Sequence, residues 1–209
     1  MNTHFYAFGS LCRGEADFSS DVDLLACISE EQPQIDSKKF SIYTYSRLQE
    51  LWDEGNPFAW HLHLESKLIF SSDGSDFLSD LGKPSKYTMI SEDCTKFYKL
   101  FSESYQSLIQ YDNNAVFNLS CMFLAIRNFA TCYSFHTGKP IFSRKSPLLI
   151  NSKLPITNET FDIFVRARIL STRGYGSPIS KENVNTAKLF SPIIIEWMQQ
   201  ILTTGGLNE

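Results

Sequence analysis

The sequence predicts an α+β protein in which a small mixed β-sheet domain, residues 1–88, is followed by an all-α helical bundle domain, residues 89–209. Short segments of alternating apolar residues, which are typical of strands, are concentrated before Pro84. Beyond that point, apolar residues recur every three or four positions, as on amphipathic helices. A chain of 209 residues is long enough to give each domain its own core.

Within the first domain, strands are expected at residues 5–8, 22–28 and 40–45, where β-branched and aromatic residues are frequent. A short helix is expected to begin at Ser46 and to end before Gly55. Residues 60–70 fit either a helix or a strand, because the run WHLHL alternates at first. The sequence alone does not decide between the two.

Four long helices are expected in the second domain, joined as an antiparallel bundle. The first should have Ser91 as its N-cap, followed by acidic residues that suit a helix N-terminus. Pro192 marks a kink or a restart in the last. The second contains Arg127 as its only charge, and we expect a buried helix of the bundle rather than a membrane span. Arg127 is expected to form a buried or interdomain ion pair. The helices are predicted from about Ser91, at 114–138, at 157–172 and at 180–203.

The charge is unevenly divided between the two domains. The chain has 19 basic and 23 acidic residues, a net charge of −4, which argues against a protein that coats nucleic acid. The first 86 residues contain 7 basic and 14 acidic residues (net −7), and the remainder contains 12 and 9 (net +3). This division indicates two modules with different electrostatic roles.

Cysteine usage predicts a reducing compartment. The five cysteines are odd in number and form no CxxC pair, and the opening residues MNTHFYAFGS do not resemble a signal peptide. We therefore expect a cytoplasmic protein that has no membrane partner.

The stretch from Gly9 to Asp23 contains the residues most suited to chemistry. Asp21 and Asp23, two positions apart on a strand, should point to the same face, and two adjacent carboxylates repel each other unless a cation lies between them. Mg²⁺ prefers oxygen ligands and is often shared with substrate phosphates. Gly9 and Ser10 close the preceding strand, where a missing Cβ and a hydroxyl allow a phosphate to approach. The pattern predicts a site for a nucleoside triphosphate with magnesium.

This pattern resembles the signature of the nucleotidyltransferase superfamily that includes the DNA polymerase β-like enzymes. Gly9-Ser10, Arg13-Gly14 and Ser20-Asp21-Val22-Asp23-Leu24-Leu25 are similar to its small bacterial branch, the minimal and aminoglycoside nucleotidyltransferases. The motif covers about 17 residues, and the two-part layout extends the resemblance more weakly to the whole chain.

The resemblance implies a role for each residue of the motif. Asp21 and Asp23 would be the catalytic residues and would bind Mg²⁺, while Gly9, Ser10 and Arg13 would bind the nucleotide. The substrate would be a nucleoside triphosphate, with ATP expected, and the acceptor a small molecule or a protein with a hydroxyl or amine. The oligomeric state stays open, with a dimer as one option.

One feature of the active family members is missing from the expected position. They usually have a third carboxylate on a neighbouring strand, but residues 40–45 contain no acid. Glu65 could reach the site from the next element or could be a surface residue. The alternative hypothesis is therefore a nucleotidyltransferase-like antitoxin or defence protein that acts by binding a partner, with or without catalysis.

Two further groups are weaker candidates. His61 and His63 would share a face if extended and could bind a metal, but packed or surface histidines are the favoured interpretation. A basic stretch at residues 139–173 is either a solvated surface or a region that faces the acidic domain and binds triphosphate or an anionic acceptor. That stretch also keeps RNA modification as a third hypothesis, although the net charge argues against nucleic acid. The basic residues are Lys139, Arg144, Lys145, Lys153, Arg166, Arg168 and Arg173.

Overall fold

The computed structural model describes residues 2–15, 22–29, 34–111 and 114–204. The packing of the backbone divides the chain into two compact units, Met1–Thr88 and Met89–Glu209. The first contains the sheet and the second is helical, which confirms the α+β class. Each unit is described by itself below.

The N-terminal unit is built around a mixed sheet. Its elements are β1 (Thr3–Phe8), β2 (Asp23–Ile28), β3 (Phe40–Thr44), α1 (Tyr45–Asp53), α2 (Pro57–Glu65), β4 (Lys67–Ser71) and α3 (Phe77–Asp80). Among the described residues the strand order is β3-β2-β1-β4. β1 is antiparallel to β2 and β4, whereas β2 and β3 are parallel. The central position of β1 places the turn that follows it beside the start of β2, because Phe8 pairs with Asp23.

The helices of this unit cover one face of the sheet. Leu25 and Cys27 of β2 lie in one buried cluster with Leu48, Trp52 and Leu62 of α1 and α2. The alternation of β1 likewise places Tyr6 and Phe8 in this cluster, as expected for strand residues two positions apart.

The ambiguous segment after Trp60 divides into the end of α2 and the strand β4. Asn56 caps α2 by accepting a hydrogen bond from the Phe58 amide, and Pro57 occupies the first helical turn, where no amide donor is needed. The alternation in WHLHL does not reflect a strand. Leu62 is buried while Leu64 is half-exposed, whereas residues two apart on a strand share a face. A capped start therefore outweighs the local alternation.

The C-terminal unit is helical throughout its regular elements. These are α4 (Ile90–Gln110), α5 (Ala115–His136), α6 (Ser146–Leu149), α7 (Asn158–Arg173) and α8 (Lys181–Thr204). α5 packs against α4, α6 and α7, and it is long and apolar enough to cross a membrane by length and composition. Because 61% of its apolar window is buried inside the fold, it has the surroundings of a core helix.

The helix ends differ in part from the expected ones. Ser91 is not the N-cap of α4: the N-cap is Met89, two residues earlier, and it makes no side-chain cap bond. By contrast, Thr157 accepts a hydrogen bond from the Thr160 amide at the start of α7, and α8 continues through Pro192 without a restart. Arg127 donates to the carbonyl of Phe142 at 2.9 Å, which ties the proline-containing loop to α5.

The turn between α1 and α2 depends on a glycine. Gly55 has φ +66°, and a Cβ there would lie 2.5 Å from the Ser85 carbonyl oxygen and 2.6 Å from that of Lys86. The Ser85 amide donates to the carbonyl of Trp52 at 2.9 Å, so this backbone segment is held against the turn. Neither carbonyl can move away without breaking that packing.

Gly55→Ala is therefore expected to destabilise the fold by about 2–3 kcal/mol, from left-handed backbone strain plus backbone overlap. Urea unfolding followed by circular dichroism measures the change. Gly74→Ala is the matched control, because Gly74 also has positive φ (+80°) but a Cβ there would meet no atom within 4 Å. It should cost only about 1–2 kcal/mol. Equal losses in the two variants would contradict the overlap argument.

Candidate nucleotide site

The turn after β1 is a single helical turn that begins at Gly9. The Gly9 carbonyl accepts from the amides of Cys12 and Arg13 at 3.1 and 3.2 Å, and the Ser10 carbonyl accepts from Glu15 at 2.9 Å. Within the described ranges, the amides of Ser10 and Leu11 donate to no backbone carbonyl. Amides at the start of a helical turn are suitable donors for an anion.

Asp23 lies against this turn. It is the first residue of β2, is exposed, and pairs with Phe8. Gly9 has φ +76°, and a Cβ there would lie 2.6 Å from Oδ2 of Asp23. The carboxylate therefore occupies space that any other residue at position 9 would fill. An exposed carboxylate beside backbone donors fits Mg²⁺, which prefers oxygen ligands and shares them with phosphates.

Arg13 connects the turn to the end of α2. Its Nε donates to Glu15 at 2.9 Å, and its Nη1 donates to Oε2 of Glu65. Burial lowers the pKa of Arg13, but the bonds to Glu15 and Glu65 outweigh burial and leave the pKa raised. The guanidinium is thus charged and is held by two carboxylates.

The two histidines of the HxH pair point in different directions. Both lie on α2, where residues two apart differ in direction by roughly 200°. His61 Nε2 lies 2.8 Å from Oε2 of Glu65, whereas His63 lies beside Trp60, with ring centroids 6.1 Å apart. Burial and nearby Lys83 lower the pKa of His63. The geometry does not bring the pair together for a metal ion.

Comparison with known families finds a match, which lies over the N-terminal unit. The family described as "Nucleotidyltransferase domain" matches residues 2–93, which include the turn, Asp23, Arg13 and Glu65. Residues 2–93 are thus similar to nucleotidyltransferase domains. The resemblance that the Gly9–Asp23 motif carries is confirmed.

Other comparisons concern the whole chain. No match is found among the curated proteins. Among solved structures, the chain is similar to spectinomycin adenyltransferase from Enterococcus faecialis, solved with ATP and spectinomycin. The TM-score is 0.48 and the identity 15%, over 94% of this chain and 91% of that one.

The N-terminal unit brings together most of the residues singled out from the sequence. Gly9, Ser10, Arg13 and Asp23 surround one turn, and Glu65 contacts Arg13 from α2. Asp21 lies outside the described residues, so its pairing with Asp23 stays a prediction. Among the described residues no group of three His, Cys, Asp or Glu side chains could hold a metal. The strand β3 contributes no acid.

The contact of Glu65 with Arg13 and His61 is not predicted by the sequence patterns. The spacing of His61 and Glu65, four residues apart, is a signal for their contact, but only where the segment is helical. The partner Arg13 is 52 residues away in sequence, and no local pattern indicates such a pairing.

Gly9→Ala should displace the Asp23 carboxylate and reduce the affinity for Mg-ATP by tenfold or more, because about 1.4 kcal/mol corresponds to each factor of ten. Isothermal titration calorimetry measures the affinity. Gly14→Ala is the matched control: Gly14 has φ +72°, yet nothing lies within 4 Å of a Cβ placed there. A similar loss in both variants would show that strain, not the position of Asp23, determines binding.

Proposed function

We propose that the chain is a Mg²⁺-dependent nucleotidyltransferase that transfers a nucleoside monophosphate from a triphosphate, ATP in the first instance, to a hydroxyl or amine. The observation that carries this proposal is the contact between Gly9 and the Asp23 carboxylate, at the turn of a nucleotidyltransferase domain. It combines a place for phosphate with an oxygen ligand for a cation.

Each residue of the site has a proposed part. Gly9 and Ser10 would hold the β- and γ-phosphates, because the turn presents backbone amides and a hydroxyl there. Arg13 would neutralise phosphate charge, since its guanidinium lies in the same turn. Asp21 and Asp23 would hold one or two Mg²⁺. When bound, Mg²⁺ stabilises the charge that develops on the attacking and leaving oxygens.

The reaction would be an in-line substitution at the α-phosphorus. The acceptor oxygen or nitrogen forms the new bond to phosphorus, the bond to the β-phosphate oxygen breaks, and pyrophosphate leaves. The acceptor would be a small molecule or a protein. The net charge of −4 argues against nucleic acid, and the basic residues of 139–173 remain a prediction for anion binding. Arg166 of that stretch already pairs with Asp162 at 2.9 Å.

A binding module without turnover is the second candidate function. What favours it is that the Glu65 carboxylate, the candidate third acid, is engaged by Arg13 and His61. A carboxylate that already contacts Arg13 and His61 is a less available metal ligand. In this case the domain would bind nucleotide or a partner protein, as in an antitoxin or defence pair.

A cytoplasmic location is part of the proposal. All five cysteines lie within the described ranges and none forms a disulfide. Burial raises the pKa of Cys27 to about 12, which keeps that thiol protonated. These thiols fit a reducing compartment.

Asp23→Asn and Asp21→Asn should each weaken Mg-ATP binding at least tenfold, because each removes one negative oxygen ligand for the cation. Titration calorimetry with the four nucleoside triphosphates, with Mg²⁺ and with EDTA, measures this and identifies the preferred base. Asp53→Asn is the control for the loss of one charge: Asp53 is exposed on α1 and accepts from Gln49 of the same helix. It should bind as the wild type does.

Binding that is equal in the wild type and the double variant Asp21→Asn/Asp23→Asn would refute the site. Pyrophosphate release then distinguishes the two functions. Release with any member of a panel of hydroxyl- or amine-containing small molecules, proteins and RNA supports the enzyme and identifies the class of acceptor. Tight Mg²⁺-dependent binding without release from any of them supports the binding module.

A further inference from the structure

His61 contacts two parts of the candidate site, although the proposed function gives it no role. Its Nε2 lies 2.8 Å from Oε2 of Glu65, one helical turn later on α2. Its ring packs edge-on against Phe8, with the centroids 5.6 Å apart. Phe8 immediately precedes Gly9, so the imidazole supports the end of β1 as well as the carboxylate.

The Glu65 carboxylate links His61 to the turn. The oxygen that His61 approaches is also the oxygen to which Arg13 donates. The side chains are largely removed from water, with 16% of Arg13, 12% of Glu65 and 15% of His61 exposed. Where water is scarce, the orientation of a carboxylate depends on its protein donors. The Arg13 amide then donates to the carbonyl of Gly9.

A largely buried charged side chain binds a ligand better when the protein already holds it in one orientation. Arg13 is restrained by Glu15 on one side and by Glu65 on the other, but Glu15 is itself 42% exposed. Glu65 is therefore the firmer of the two restraints. His61 in turn restrains the Glu65 carboxylate from its own position on α2.

We propose that His61 is a positioning residue of the nucleotide site: through Glu65 it holds Arg13 where the guanidinium meets the nucleotide phosphates. This inference rests on the proposed function and deepens it. His61 itself contacts neither phosphate nor metal. Its role is to keep the charge of Arg13 in place before the nucleotide arrives, which spares the cost of ordering that side chain on binding.

The test compares ATP with AMP, because a residue that acts on the phosphates affects ATP more. His61→Phe keeps an aromatic ring against Phe8 but removes the nitrogen that approaches Glu65. ATP affinity should fall about tenfold, because the close contact that orients the Glu65 carboxylate is lost. AMP affinity should change less than twofold. His61→Gln keeps a donor and should restore most of the ATP affinity.

His63→Phe is the matched control. His63 lies two residues further along the same helix, and its ring contacts Trp60 instead of the turn. It should bind both nucleotides as the wild type does. Glu65→Gln should reproduce the selective loss of ATP affinity, and adding His61→Phe to it should cause no further loss, because the two residues act in one chain of contacts.

Several outcomes would overturn the inference. They are ATP affinity within twofold of wild type in His61→Phe, equal losses for ATP and AMP, and additive effects of His61→Phe and Glu65→Gln. If His61→Phe does not give the wild-type circular dichroism spectrum, Glu65→Gln alone tests the inference. The positioning role is then rejected if Glu65→Gln binds ATP as the wild type does or loses ATP and AMP affinity equally. Asp23→Asn is measured in parallel: unchanged ATP affinity there refutes the proposed function, whereas a loss there with none in His61→Phe removes only the positioning role.

Discussion

The carboxylate of Asp23 lies so close to the backbone of Gly9 that a Cβ at position 9 would overlap it, at 2.6 Å from Oδ2. That close approach depends on the pairing of Phe8 with Asp23, which brings the end of β1 and the start of β2 to the same edge of the sheet. It also depends on the positive φ of Gly9, which turns the chain away from the sheet directly after Phe8. The geometry of the candidate site therefore depends on both the strand pairing and the conformation of Gly9.

The opposite end of β1 is anchored by polar contacts that keep the strand in register. His4, which is buried, lies 2.7 Å from the Tyr45 hydroxyl and 3.1 Å from the Ser75 hydroxyl. The Tyr6 hydroxyl donates to Asp76 and accepts from the Leu78 amide, and burial raises its pKa. His4 and Tyr6 are thus held by contacts with the start of α1 and with the segment that follows β4, which keeps the strand in register. A site at the other end of β1 benefits from that rigidity, since binding groups must be held within a fraction of an ångström.

Local patterns predict the parts of this domain that are determined locally. The strands β1, β2 and β3 follow from alternation, and the turn follows from Gly9 and Ser10. The segment after Trp60 cannot be assigned in this way, because its alternation conflicts with the Asn56–Pro57 helix start. In the structure the capped start prevails, and Leu62 is buried on the helix. The pairing of Arg13 with Glu65 is a tertiary contact between a turn and a helix end. Residue identity shows that such a pair is possible, but the fold alone brings the two together.

The contacts of individual carboxylates account for part of the negative charge of the N-terminal unit. Much of its negative charge is used in the scaffold: Glu65 holds Arg13, Asp76 caps α3, and the amide and hydroxyl of Ser75 hold the pKa of Asp73 well below its usual range. Each of these carboxylates is neutralised or stabilised by donors of the protein itself. Asp23 is exposed at a strand end, beside a turn whose first amides donate to no backbone carbonyl of the described residues. The net charge is thus a poor measure of cation affinity, and what distinguishes Asp23 from the other acids is the position that Gly9 allows it to occupy.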